Sequence, residues 1–364
     1  MESANDRDKV VIDVEEAISA LGLKEQGNEI VSYEQLSGGL TNDNIAVYLK
    51  KPCCQEHTKV KIINDRLVLR RFKKSTSIHL GYDRYREYIN AKIAADHGIS
   101  PPVIGFIQAD DNEEGHGGAL ALCYIDGTTS GDDDVGDLCT SDFKASLLAN
   151  TLRALHGMKH FDNIFDPFKA RKWYENQVKS ITGKSIEWED YETLITLSSS
   201  LEIHLNALEE PLVPCHNDLL AANFIKQSTK DHDRLALIDF ELSGMAPASW
   251  ESGNIVSENG LDGDEEAIER LTMHYWLGGK VVQSRPEWLE SRVNRVKAWS
   301  IVSKITWSAW GAVLYHLNQH NEQPFDYKEW SLERVKKAKA ALQDEHMLKN
   351  LLAGLKRDEL DLSQ

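Results

Sequence analysis

Cysteine, basic charge and long apolar runs are all in short supply in this sequence. There are five cysteines in 364 residues, Cys53, Cys54, Cys123, Cys139 and Cys215. They are odd in number, scattered and without the C-x-x-C spacing of a zinc or redox site, so reduced thiols in a cytosolic chain are expected. Lysine and arginine total 41 against 58 aspartate and glutamate, a formal net charge of −17. This deficit argues against a nucleic-acid partner or a broad attraction to anionic membranes, although a local basic pocket can still hold a small anion. No apolar run reaches the length of a membrane span, and the opening MESANDRDKVVIDVEEAI is charged, with no apolar stretch of the signal-peptide kind. The expectation is a cytoplasmic protein without a transmembrane segment.

What is present changes in character along the chain. IVSYEQLSGGLTNDNIAVYLKK sets β-branched and aromatic residues on both sides of a Ser-Gly-Gly turn, and DRLVLRRF reads as another short strand. A helical stripe through Tyr88, Ala91 and Ala95 then stops at Gly98 and leaves through Ser-Pro-Pro into a new strand. ALALCYIDG is strand-like and follows the acidic, Gly-rich loop DDNEEGHGG. Past Gly127 comes the acidic loop GDDDVGD, then SDFKASLLANTLRALHGM, whose leucines recur at helical spacing behind a serine cap. Helical periodicity dominates from there. The reading is an α+β chain with a strand-rich lobe over 1–125 and a mostly helical lobe over 126–364.

Two apolar runs in the helical part end in polar residues. VPCHNDLLAANFI places Asp218 and Asn223 five residues apart after His216, and LALIDFELSG ends in Asp239 and Glu241. Taken singly, Asp218 and Asn223 read as helix caps and Asp239 as the start of a turn. Together they supply what phosphoryl transfer needs: a base to orient an attacking hydroxyl, and oxygen ligands to hold Mg²⁺ against a nucleoside triphosphate. On this reading Asp218 is the base and Asn223 and Asp239 hold the metal. His216 braces the loop.

These residues resemble the choline and ethanolamine kinases of the aminoglycoside-phosphotransferase branch of the protein-kinase-like superfamily. CHNDLLAANFI is similar to their HxDxxxxN catalytic loop and LIDFE to their metal-binding strand, and the likeness extends from LSGGLTN to the tryptophan-bearing helix near the end. The resemblance implies a bilobal kinase-like fold, an N-terminal antiparallel sheet lobe with a helical C-terminal lobe, that uses ATP and Mg²⁺. It implies that Gly38, Gly39, Thr41 and Asn42 cover the phosphates, where a Ser-Gly-Gly turn alone is ordinary turn chemistry. In VLRRF, strand alternation lets only one of Arg70 and Arg71 enter a cleft. The V-L-R of bacterial relatives favours Arg70 as the phosphate contact, and the V-L-L-R of animal ones favours Arg71. Glu87 matches the glutamate that pairs with that basic residue, against the alternative of a surface i,i+4 partner. The resemblance also makes CYIDG the hinge, with Cys123 and Ile125 at adenine.

The acceptor is read from ITWSAWGAVLYHLNQHNEQPFDYKEW. Trp307 and Trp310 lie three apart on one helical face and Trp330 follows. Aromatic faces attract quaternary ammonium, at about 0.5–2 kcal/mol each, and a W-x-x-W pair is equally an ordinary packing pattern. The likeness to choline kinases makes Trp307, Trp310 and Trp330 the choline contacts. Glu241 is either near the second metal or the acceptor ammonium, or a surface ion-pair partner. Two departures from the family pattern stand out: Leu242 where tyrosine is common, and Glu251 in WESGN where aspartate is usual. The expected activity is transfer of the ATP γ-phosphoryl group to choline, with ethanolamine or another small amino alcohol as alternative acceptors. A catalytically silent kinase-like binding protein is the alternative from another class, and a homodimer is among the open oligomeric states.

Overall fold

The computed structural model of the protein describes residues 11–36, 41–54, 60–110, 112, 116–129, 139–228, 233–278, 287–318 and 325–356. The chain divides into two units, Met1–Gly131 with Ala222–Ser243, and Asp132–Ala221 with Gly244–Gln364.

The first unit is built on an antiparallel five-stranded sheet. Its strands are β1 (Ile30–Gln35), β2 (Asn42–Leu49), β3 (Ile62–Phe72), β4 (Val103–Ile107) and β5 (Ala119–Ile125), in the order β1-β2-β3-β5-β4. Alternation along β2 and β3 sends Ile45, Val47, Leu67 and Leu69 to one face, where they bury against Ile12, Val14, Ala17 and Ile18 of the N-terminal segment and helix α1 (Val14–Ala20). Removing such apolar surface from water stabilises by about 25 cal/mol per Å². Helix α2 (Lys74–Leu80) leads through Gly81, whose φ of 71° closes the turn, to α3 (Arg84–Asp96), capped by the Asp83 carboxylate on the Arg86 N–H at 3.0 Å. Tyr88 of α3 stacks on Phe106 of β4, ring centroids 5.2 Å apart. A second sheet completes the unit, β6 (Thr128–Thr129), β8 (Phe224–Ser228) and β9 (Asp233–Leu237), with β8 central. It is tied to the turn after α3 by the Leu237 N–H on Ile99 C=O at 2.8 Å.

The second unit holds α4 (Asp142–His156), α5 (Pro167–Thr182), α6 (Tyr191–Asn206), α7 (Ala248–Glu258), α8 (Glu265–Leu277), α9 (Glu287–Leu317), α10 (Tyr327–Gln343) and α11 (Glu345–Gly354). Among the described residues, the strands between them are the pair β7 (Leu212–Cys215) and β10 (Gly244–Pro247). Ser141 caps α4 as its sequence predicts. Helix α9 is the core element, buried on nearly every side from Val293 to Leu314. Trp250 of α7, fully buried, meets Trp299 of α9 edge-on. At Gly253 the two helices approach so closely that a Cβ would stand 2.7 Å from the Val296 carbonyl oxygen. No helix among the described residues is long and apolar enough to cross a membrane.

The expectation of uniformly reduced thiols is corrected here. Cys54 and Cys123 form a disulfide across 69 residues of sequence. A register shift in β3 between Ile63 and Leu67 opens the ladder opposite β5, and the Asn64 carbonyl accepts the N–H groups of Cys53 and Cys54 at 2.7 and 3.3 Å. The bulge thereby docks the 53–54 turn onto β5, a placement that sequence separation hides. Cys53, Cys139 and Cys215 are free, and burial pushes the Cys53 thiol up to about 11. Non-reducing peptide mapping should recover a linked Cys54–Cys123 peptide. Reduction should lower unfolding stability by about 2–4 kcal/mol, the usual contribution of a native disulfide, and finding both thiols alkylated in the native protein would contradict the pairing.

Candidate active site

In the first unit the site residues meet as buried charges. β3 presents Arg70 inward, 5 % exposed, while its neighbour Arg71 turns to the Ile12 carbonyl at 3.2 Å and Asp43 at 3.6 Å. Arg70 grips the Asp239 carboxylate with both terminal nitrogens, at 2.9 and 2.5 Å. Its Nη2 also reaches Glu241 at 2.7 Å, and its Nε faces Glu87 of α3 at 2.9 Å, as an ion pair without hydrogen-bond alignment. Burial alone would lower the Arg70 pKa, but the charges of Asp239, Glu87 and Glu241 outweigh it and hold it above the ordinary range. Burial pushes the Asp239 carboxyl up to about 7, with Arg70 pulling the other way. Burial would raise Glu241 too, yet Arg70 and Arg84 bring it below its usual value. Asp239 has φ 72°, a left-handed backbone that aspartate tolerates better than most residues and that turns its side chain off the end of β9. Asn223 closes a single 3-10 turn, Ala221–Asn223, and its carbonyl accepts the Ile238 N–H at 3.1 Å, so its backbone is pinned next to Asp239.

Thr41 and Asn42, at the start of β2, both hydrogen-bond Glu241, the Thr41 hydroxyl at 3.1 Å and the Asn42 amide at 2.8 Å. Gly38 and Gly39 lie outside the described residues. Cys123 carries the disulfide, and its N–H is engaged by Pro102 C=O at 2.8 Å; Ile125 pairs with Ile62 at the end of β5.

In the second unit the stretch after β7 is held by one carboxylate. Glu251 Oε1 accepts the backbone N–H groups of His216 and Asn217, at 2.6 and 2.9 Å. Its Oε2 lies 2.5 Å from His156 Nε2, and the other ring nitrogen of His156 lies 2.6 Å from the Tyr275 hydroxyl. Asn217 adopts φ 67°, its side-chain oxygen accepts the Trp250 indole N–H at 2.9 Å, and its carbonyl accepts the Asn254 amide at 3.0 Å. Asp218 follows half-buried, its N–H on His216 Nδ1 at 3.3 Å. The fully buried His216 therefore braces the loop from within. His156, Cys215 and Glu251 bring their heteroatoms within 4.8 Å of one another. The Glu251 and His156 atoms are already matched as hydrogen-bond partners, and burial, reinforced by the Glu251 charge, keeps the Cys215 thiol protonated, so the cluster reads as a brace.

The tryptophans form one aromatic cluster with unequal exposure. Trp307 is buried, its indole N–H on Asn254 Oδ1 at 2.7 Å, and its ring stacks on Phe165. Trp310 and Trp330 are half-buried, with ring centroids 5.9 Å apart, and Trp310 also meets Trp307 and Tyr327 edge-on. The Arg334 guanidinium lies 3.5 Å above the Trp330 ring and pairs with Glu258 at 2.8 Å.

The sequence model of the Choline/ethanolamine kinase family matches residues 33–339. This chain belongs to that family. It is 24 % identical to mouse ethanolamine kinase 2 over 319 residues, 84 % of this chain and 75 % of that protein. It is 24 % identical to Arabidopsis thaliana probable choline kinase 3 over 280 residues, 71 % of this chain and 74 % of that one. The crystal structure of a choline/ethanolamine kinase family protein from Mesorhizobium loti superposes with a TM-score of 0.63 at 23 % identity, covering 89 % of this chain and 92 % of the other. The kinase-like fold, antiparallel sheet in the N-terminal part and helices in the C-terminal part, is thereby shared.

Within the family pattern, Glu251 stands where aspartate is usual, and its longer side chain serves two backbone N–H groups and His156 at once. Sequence reasoning missed His156, Arg84 and Asn254. Asn254 alone carried a signal, as the last residue of WESGN. Glu251→Ala would leave two buried N–H groups and His156 without their acceptor, at a cost of roughly 2–5 kcal/mol. Urea denaturation should show that loss, and a change under about 0.5 kcal/mol would mean that the carboxylate does not hold the loop.

Proposed function

We propose that this chain transfers the γ-phosphoryl group of MgATP to the hydroxyl of choline, giving phosphocholine. Asp218 orients the acceptor hydroxyl and takes its proton, Arg70 steadies the transferring phosphate, and Glu87 positions Arg70. Residues 1–125 supply the nucleotide groups, with Thr41 and Asn42 at the phosphates and the Cys123–Ile125 segment at adenine. Residues 126–364 supply the base and the acceptor contacts. Asn223 and Asp239 would hold Mg²⁺. Their donors are hard oxygens, and the buried cluster around Asp239 sets three carboxylates (Glu87, Asp239, Glu241) against two guanidiniums (Arg70, Arg84), an excess of negative charge suited to a divalent cation. When bound, the ion neutralises charge that develops on the phosphate oxygens.

The observation that carries the choice of acceptor is the Trp307–Trp310–Trp330 cluster, in which one ring already stacks on a cation, that of Arg334. Rings so disposed suit a trimethylammonium group, which offers no N–H to a carboxylate. Ethanolamine is the second reading. It is favoured by the same Arg334, which covers one face of Trp330, since a primary ammonium needs carboxylate acceptors more than open aromatic walls.

Asp218→Ala should cut turnover by at least a hundredfold with the fold intact, and retained turnover would remove Asp218 from the mechanism. Coupled ADP-release assays should give a higher kcat/KM for choline than for ethanolamine, the reverse ranking favouring the second reading. The raised Asp239 carboxyl predicts a pH dependence as well. Below about 7 the group is protonated and a poor oxygen ligand, so kcat/KM for MgATP should climb as pH rises through about 7. A flat profile from pH 5.5 to 8 would contradict this.

A further inference from the structure

The first unit buries a second arginine that the mechanism above does not use. Arg84 opens α3 and is 8 % exposed. Its Nη1 donates to Glu87 at 2.8 Å and to Glu241 at 2.9 Å, its Nη2 to the Asn42 side-chain oxygen at 2.9 Å, and its Nε to the Ser77 hydroxyl at 2.8 Å. The guanidinium stacks over the rings of Phe72 and Tyr82, 4.4 and 4.9 Å from their centroids. Each of the three nitrogens and the face of the group are therefore engaged. Arg70 contacts the same two glutamates, so Arg70, Glu87, Arg84 and Glu241 form a closed ring of alternating charge.

Each member of the ring faces something the nucleotide reading needs. Arg70 faces Asp239, and Glu241 Oε2 takes Arg70, Arg84 and Asn42 together. Removing the Arg84 charge would leave three carboxylates around the single guanidinium of Arg70, and Glu87 and Glu241 would then compete with Asp239 for its fork. Asn42 would lose the donor on its oxygen and could rotate away from Glu241. These disturbances fall on the phosphate-facing parts of the unit. The acceptor tryptophans belong to other elements.

We propose that Arg84 and Glu241 are positioning residues for nucleotide phosphates: Arg84 holds Glu87 and Glu241 so that Arg70 and Asn42 are presented to the phosphates in fixed orientation. This inference rests on the nucleotide half of the function proposed above. It gives Glu241 a role at the nucleotide in place of the acceptor ammonium. Arg84→Lys keeps the positive charge between Glu87 and Glu241 and gives up the fork's bonds to Asn42 and Ser77, so the hold on the two glutamates survives it.

The test compares wild type, Arg84→Lys and Arg84→Met in steady-state kinetics with both substrates varied, together with calorimetric titration of MgADP in the absence of acceptor. Arg84→Met should raise the KM for ATP and the MgADP Kd at least tenfold while leaving the KM for the amino alcohol within about twofold, and Arg84→Lys should recover to within roughly threefold of wild type. Equal shifts in both KM values, no shift in either, or a lysine variant as impaired as the methionine one would overturn the proposal. If Arg84→Met does not fold by circular dichroism, Glu241→Gln takes its place, with the same ATP-selective shift expected and an acceptor-selective shift overturning the assignment. Should wild type turn over neither choline nor ethanolamine, the acceptor reading fails on that result alone, and the MgADP titrations still decide the role of Arg84.

Discussion

A carboxylate removed from water keeps its charge only if donors replace the water it has lost, and both units are organised by this constraint. In the first unit Glu241 meets it with Arg70, Arg84, Asn42 and Thr41. In the second, Glu251 meets it with two backbone N–H groups and His156. The two solutions do different work. Side-chain donors around Glu241 tie helix α3 to the paired strands β2 and β3, a link that the antiparallel ladder itself does not supply. Backbone donors around Glu251 fix φ and ψ at His216 and Asn217, which sets the direction in which the chain enters Asp218.

The strand ends show how far sequence reading can reach. That two apolar runs stop in carboxylates and amides was legible, and so was the alternation that separates Arg70 from Arg71, because both depend on neighbours in the chain. The left-handed backbone at Asn217 and Asp239 was less legible, since asparagine and aspartate permit that conformation without requiring it. Arg84 was hidden for a different reason. Three residues before a glutamate at a helix start, it has the pattern of a solvated surface pair, and only the packing of Phe72 and Tyr82 over its face makes it a buried group. His156, in the last turn of α4, would be unremarkable without Glu251, 95 residues away. Cys54 and Cys123 belong to the same class, since a bulge in β3 makes their meeting possible.

The tryptophan helix marks the limit of periodicity as an argument. A W-x-x-W spacing puts two rings on one face, but α9 is buried around nearly its whole circumference, so no face of it is a solvent face by default. The rings separate by environment instead. Trp307 is buried with a satisfied N–H, and Trp310 and Trp330 keep part of their surface open. A cluster with both kinds of ring is rigid on one side and available on the other, which is what recognition of a compact cation requires.

The same helix reaches the loop that leads into Asp218 through hydrogen bonds whose direction can be worked out. An indole N–H only donates, so Trp307 requires an acceptor at Asn254, and the Ser303 hydroxyl donates to that same oxygen at 2.8 Å. The amide oxygen of Asn254 must therefore face α9, which turns its NH₂ toward the Asn217 carbonyl. Trp250, another donor-only ring, fixes the Asn217 side chain by the same logic, with its oxygen toward the indole. Aspartate at 254 could not donate to the Asn217 carbonyl, and leucine could serve neither neighbour. Two indoles thus determine the orientation of two amides, and through them the backbone from which Asp218 projects. The loop that carries the proposed base is held by the packing of the helix that carries the proposed acceptor contacts, so a change in α9 would be felt at Asp218 even where no substrate contact is lost.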